Sequence, residues 1–177
     1  MSMERILAEV RGFDGVLELA PQPGSEYPPI SWGDHFFYYA PDQRVPRNRQ
    51  PYATIVTKDY PDDTGSELNA ADRWRVNIHV GTELFTALLG HPPAETAAAA
   101  TDFSAADVFL PHPLYGAYGW VSVVTPGPST MDRVLESLRV AHAADRRRVE
   151  RRTGTVDDEP SRSVPSSGTT TGAQTAS

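Results

Sequence analysis

The sharpest pattern in the chain runs from Arg73 to Gly90, where strict alternation passes without a break into a helical repeat. Trp74, Val76, Ile78 and Val80 share one parity and are apolar, while Arg75, Asn77 and His79 share the other. Successive side chains of a strand point to opposite faces, so this stretch predicts a strand with one face in the core and a polar face able to line a site. Thr82 then fits an N-cap, Leu84, Phe85, Leu88 and Leu89 recur at helical spacing, and Gly90 suits the left-handed position after a helix.

The same reading extends in both directions. Met3, Ile6, Leu7 and Val10 form an apolar stripe that predicts a helix over 2–11, ending near Gly12. Val16 to Leu19 reads as a strand, and the prolines between Pro21 and Pro29 break the chain into a loop. Ile30 to Ala40, dense in aromatic residues, reads as a strand near the sheet centre, followed by a loop to Pro51 and a strand over 52–57. Ala94 to Ala100 favours a short helix because alanine has the highest helix propensity. Asp107 to Leu110 extends toward Pro111, and Tyr118 to Val124 is the last strand. Ser129 and Asp132 resemble a capping box, and Met131, Val134, Leu135, Leu138 and Ala141 continue a helix to about Arg148. The expected class is α+β: a single antiparallel sheet of about five strands with N-terminal, middle and C-terminal helices. One domain over 1–148 is expected, with a disordered tail over 149–177 that is rich in Ser, Thr, Gly and Pro.

Composition narrows the function classes. A formal charge of -7 and a pI near 5.1 disfavour a phosphate-binding surface, so no nucleic-acid partner is expected. No apolar run approaches the roughly 20 residues that cross a bilayer, and the charged start of the chain lacks a signal-peptide core, so a cytoplasmic protein without membrane association is expected. Cysteine is absent, which removes disulfides, thiolate nucleophiles and thiolate metal ligands.

The candidate chemistry is sparse. His35, His79 and His112 lie on or beside predicted strands, yet no two share a metal-ligand spacing, and separate hydrogen-bonded histidines are expected, with no metal or other cofactor. No GxSxG elbow is present. Asp59, Asp62 and Asp63 suit a turn, although one of them could serve His79 as an acid–base partner if the turn folds back over the sheet. The one lysine, Lys58, reads as a solvated side chain. If Tyr38, Asn77, His79 and Lys58 meet above one sheet face, they make a mainly apolar pocket with a few placed polar groups.

The segments WGDHFFYYAP, QPYATIVTKDYPDDTGSEL, RWRVNIHVG and DVFLPHPLYGAYGWVSVV resemble an uncharacterised actinobacterial domain-of-unknown-function family, members of which have been labelled erythromycin esterase. The element order also resembles the YjbR/MmcQ-like small α+β proteins, often labelled DNA-binding. The acidic charge and the missing esterase motif speak against carrying either label over. The resemblance implies that Trp32, Asp34, His35, Lys58, Asp59, Asn77, His79, His112 and Tyr115 form a shared surface. The leading expectation is non-enzymatic binding of a small molecule or protein partner on the polar sheet face, with Tyr38 among the binding residues. The alternative is a small hydrolase that pairs a histidine with Asp34 or Asp59, with or without a metal, and a homodimer through a sheet edge or aromatic patch is a third reading.

Overall fold

The alternation at residues 74–80 is one rib of a six-stranded sheet in the computed structural model, which describes residues 2–98 and 100–154. The strands are β1 (Val16–Leu19), β2 (His35–Tyr39), β3 (Ala53–Val56), β4 (Arg75–His79), β5 (Leu110–Pro111) and β6 (Trp120–Val124). They lie in the order β1-β2-β3-β4-β6-β5, and every neighbouring pair is antiparallel. The helices are α1 (Ser2–Arg11), α2 (Gly81–Leu89) and α3 (Met131–Gly154). The sixth strand is the two-residue β5, too short to show a period in the sequence.

Register decides which side chains share a face. Phe37 pairs with Ala53, Ala53 with Ile78 and Ile78 with Val121, while Ile55, Val76 and Val123 form the next row. These rows are buried together with Ile6, Leu7 and Val10 of α1 and Val134, Leu135 and Leu138 of α3. Their removal from water, at roughly 25 cal/mol per Å² of apolar surface, is the main stabilising term of the fold. Trp74 and Val80 extend the apolar parity of β4 into the same cluster, as the alternation predicts.

Several boundaries differ from the sequence reading. β2 starts at His35, not Ile30, because Pro29–Ser31 forms a 3-10 turn in which the Ser31 hydroxyl donates to the Pro28 carbonyl. β6 starts at Trp120, not Tyr118, because Gly116–Tyr118 is another such turn. The alanine-rich segment is a 3-10 helix, Pro93–Ala98, not an α-helix, and it offers no long apolar stripe to hold an α-helix against a neighbour. Thr82 is not the N-cap of α2: Val80 holds that position, and the Val80 and Gly81 amides donate to the Gly119 carbonyl, so β4 runs straight into the helix. Gly90 takes the expected left-handed conformation, φ 80°.

The last helix departs most. It continues to Gly154, helped by an Arg146–Glu150 ion pair one turn apart, so residues 149–154 expected in the tail are helical. The rest of that tail lies outside the described residues. Ser129 and Asp132 do not form the capping box. Asp107, from the approach to β5, accepts the Gly127, Ser129 and Thr130 amides and the Thr130 hydroxyl, while Asp132 pairs with Arg5.

Candidate functional site

The pairing that buries one sheet face sends Tyr38, Thr54, Asn77 and Ser122 to the other, with Arg75 and His79 on either side of Asn77. Among the described residues, the buried apolar side chains of α1 and α3 pack on the face opposite to this one. At one end Leu17, Tyr38 and Ala40 pack together, and at the other Val56 and Val124 pack under Leu68. Between them lies a cavity of about 780 Å³. Phe36, Tyr38, Tyr115 and Trp120 are among its walls. The last turns of α3 bring Arg148 and Arg152 to the mouth, so one of the residues by which that helix exceeds expectation, Arg152, contributes to the rim.

The base of the cleft is a hydrogen-bonded network centred on Arg75, which is 2% exposed. Its Nε donates to Asn77 Oδ1 at 2.8 Å, Nη1 donates to Asp63 Oδ1 and Ser66 Oγ, and Nη2 donates to Asp63 Oδ2 at 2.5 Å. Asn77 in turn accepts the Ser122 hydroxyl and donates to Thr54 Oγ1. A buried guanidinium is tolerable only when paired and hydrogen-bonded, and the aspartate comes from the acidic turn folded back over the sheet. That turn therefore neutralises Arg75; it does not serve His79.

His112 follows β5 on the same face and is 6% exposed. Its Nδ1 accepts the amides of Leu114 and Tyr115, both at 3.1 Å, which winds the chain into the turn ahead of β6. Burial, and next the Arg75 charge, push its pKa down to about 3, so the ring is neutral. His79 stacks on Trp120 with ring centroids 5.4 Å apart, and its Nε2 donates to the Tyr118 carbonyl. Burial, with Arg148 nearby, holds His79 below its ordinary pKa.

Of the residues singled out from the sequence, Tyr38, Asn77, His79, His112 and Tyr115 line this cavity. Asp62 and Asp63 of the acidic turn line it too, and the remaining candidates lie elsewhere. Asp34 is fully buried and accepts the Thr57 amide and hydroxyl and the Tyr60 hydroxyl; Lys58 bonds it and the Trp32 carbonyl. Lys58 is thus a strut between two loops, not a solvated residue, and Trp32 donates its indole N–H to Tyr27. Asp59 accepts the Leu68 amide and orders the acidic turn. His35 pairs with Glu18. The three histidines do not share a centre, and neither Asp34 nor Asp59 is bonded to a histidine.

The sequence reading does not single out Arg75 as the hub, nor Thr54 and Ser122, and it weighs Asp63 only as a turn residue or a partner of His79. Arg75, Thr54 and Ser122 were legible in part, since polar residues recur at the same parity in β3, β4 and β6. Asp63 reaches the site through a loop and leaves no periodic signal.

Gly119 fixes the wall that carries Trp120. Its φ is +85°, and a Cβ there would sit 3.1 Å from the Gly81 Cα. Gly119→Ala is therefore expected to lower stability by about 1–2 kcal/mol, as read from urea denaturation. An unchanged midpoint would remove this constraint.

The model of a family of unknown function, DUF6194, matches residues 1–154. No curated protein and no solved structure matches the chain.

Proposed function

We propose that this chain, which belongs to the DUF6194 family of unknown function, binds a small organic molecule in the cleft on the polar face of its sheet. One observation carries the reading: a cavity of about 780 Å³ has aromatic walls over a base of fixed, hydrogen-bonded polar groups. Apolar walls supply the affinity of such sites, and a few oriented polar groups supply the selectivity. The base is also held rigid before any ligand arrives, which lowers the ordering cost of binding. The ring of His79, stacked on Trp120, is a neutral flat surface at the edge of that base.

The test is a thermal-shift and saturation-transfer NMR screen with aromatic and heterocyclic metabolites. A compound at 100 times its Kd raises stability by about 2.7 kcal/mol. His79→Ala is expected to weaken the compounds found about tenfold while changing stability by less than about 1 kcal/mol, because the ring is half-buried and lies outside the main core cluster. Failure of every compound to bind, or equal binding by His79→Ala and Tyr38→Ala, would remove the cleft as the site.

A second reading has its own support: Leu114, Tyr115 and Tyr118 stand 40%, 49% and 74% exposed at the cleft mouth. Clustered exposed apolar side chains of this kind suit a protein partner or a second copy of the chain. Light scattering at two concentrations separates these, since a monomer at both excludes the homodimer.

A further inference from the structure

The Arg75–His112 contact at the base of the cleft sets two donors against each other. The His112 Nδ1 accepts two backbone amides, so the neutral ring carries its proton on Nε2. Nε2 lies 3.4 Å from Arg75 Nη2. A guanidinium has no acceptor. Four of the five Arg75 N–H groups have partners: one on Asn77, one on Ser66 and two on Asp63. The fifth, on Nη2, and the His112 Nε2–H therefore share a place that calls for an acceptor atom. Both residues are more than nine-tenths buried and both line the cleft.

We infer that this pair of donors receives the carbonyl oxygen of a flat, uncharged ring, such as a lactam or other carbonyl-bearing heterocycle. The inference rests on the cleft being a small-molecule site and adds the chemistry of the ligand. A carbonyl oxygen has two lone pairs for the two N–H groups. It is favoured over a carboxylate or phosphate because the Asp63 carboxylate already neutralises Arg75 and would repel a second anion at close range. A flat ring matches the aromatic side chains beside His112: the Tyr115 ring is 4.9 Å away and the Trp120 ring meets it edge-on at 6.3 Å. Water can take the place before the ligand binds, and a carbonyl can displace it because it replaces the same hydrogen bonds.

The first measurement needs no ligand. Long-range proton–nitrogen NMR of the wild-type chain reads the tautomer of His112, which is expected to be protonated on Nε2; a proton on Nδ1 overturns the inference and leaves the cleft reading intact. The second uses isoquinolin-1-one, naphthalene and 1-naphthoate as probes on the full chain. Isoquinolin-1-one is expected to bind at least about tenfold more tightly than naphthalene, which has no acceptor, the cost of leaving buried donors unpaired. His112→Asn keeps an acceptor near the Nδ1 position and loses the Nε2 donor, so it should erase that preference. His112→Gln keeps a donor near Nε2 and should retain it. Equal binding of the two neutral probes to the wild type overturns the inference while the cleft survives as a site, and a preference for 1-naphthoate overturns it in favour of an anion. No binding by any probe counts against both. Should His112→Asn fail to fold, the wild-type tautomer and the wild-type probe preference still decide the matter.

Discussion

Arg75→Met is expected to destabilise the protein by about 3–5 kcal/mol, the cost of breaking a buried ion pair from one side. The aliphatic part of the side chain is retained, so the effect is electrostatic. Asp63 would keep a carboxylate whose side chain is only 9% exposed, without its guanidinium, and Ser66 and Asn77 would each lose a donor. The charge would have to be solvated by opening the acidic turn or be removed by protonation. Urea denaturation at neutral pH measures the loss. Adding Asp63→Asn to Arg75→Met should recover part of it, because the uncompensated charge is gone, and the double-variant cycle isolates the pair. A loss below about 1 kcal/mol for Arg75→Met would mean that the turn does not close over the sheet.

The second large effect lies at the start of α3. Asp107→Ala is expected to cost about 2–3 kcal/mol, of which about 1–2 is the lost cap and about 1 the left-handed backbone. Asp107 has φ 54°, a conformation that aspartate and asparagine tolerate better than alanine. Its carboxylate accepts three backbone amides and the Thr130 hydroxyl, and that hydroxyl above all lowers its pKa to about 2. A carboxylate with a folded pKa below its unfolded value of about 3.9 adds stability that is fully present above about pH 4. The contribution is lost as the pH falls from there through about 2. Denaturation midpoints between pH 5 and 2 should therefore fall more steeply for the wild type than for Asp107→Asn, which keeps an acceptor and the backbone preference but cannot titrate. Parallel curves would show that the cap is not made by the carboxylate.

These two positions also mark how far the sequence could be read. Arg75 was visible as a polar residue at the right parity of β4, but its importance comes from Asp63 and Ser66, which approach through a loop with no period of its own. Asp107 was visible only as part of an extended stretch. Ser129 and Asp132 satisfied the local rule for a cap, and a carboxylate about twenty residues upstream in the chain takes the amides instead. Local motifs state which groups can bond; they do not exclude a competitor that the fold brings nearer. The candidate residues divided along the same line. Asn77, His79 and Tyr38 reached the cleft because strand parity placed them, and His112 and Tyr115 because of the turn after β5. Asp34, Lys58 and Asp59, which no strand parity places on that face, are spent on loop closure.

Periodicity by itself determined the α+β class, the amphipathic α1 and α3, the core rows of β4 and the polar face opposite them, since burial of apolar surface imposes a period that each segment must carry locally. Tertiary structure alone decided the sheet order, the reach of α3 to the cleft mouth, the neutralisation of Arg75 and the burial of His112 beside it. Each of these depends on groups far apart in the chain meeting at hydrogen-bond distance, and no repeat within a single segment records which partner will arrive.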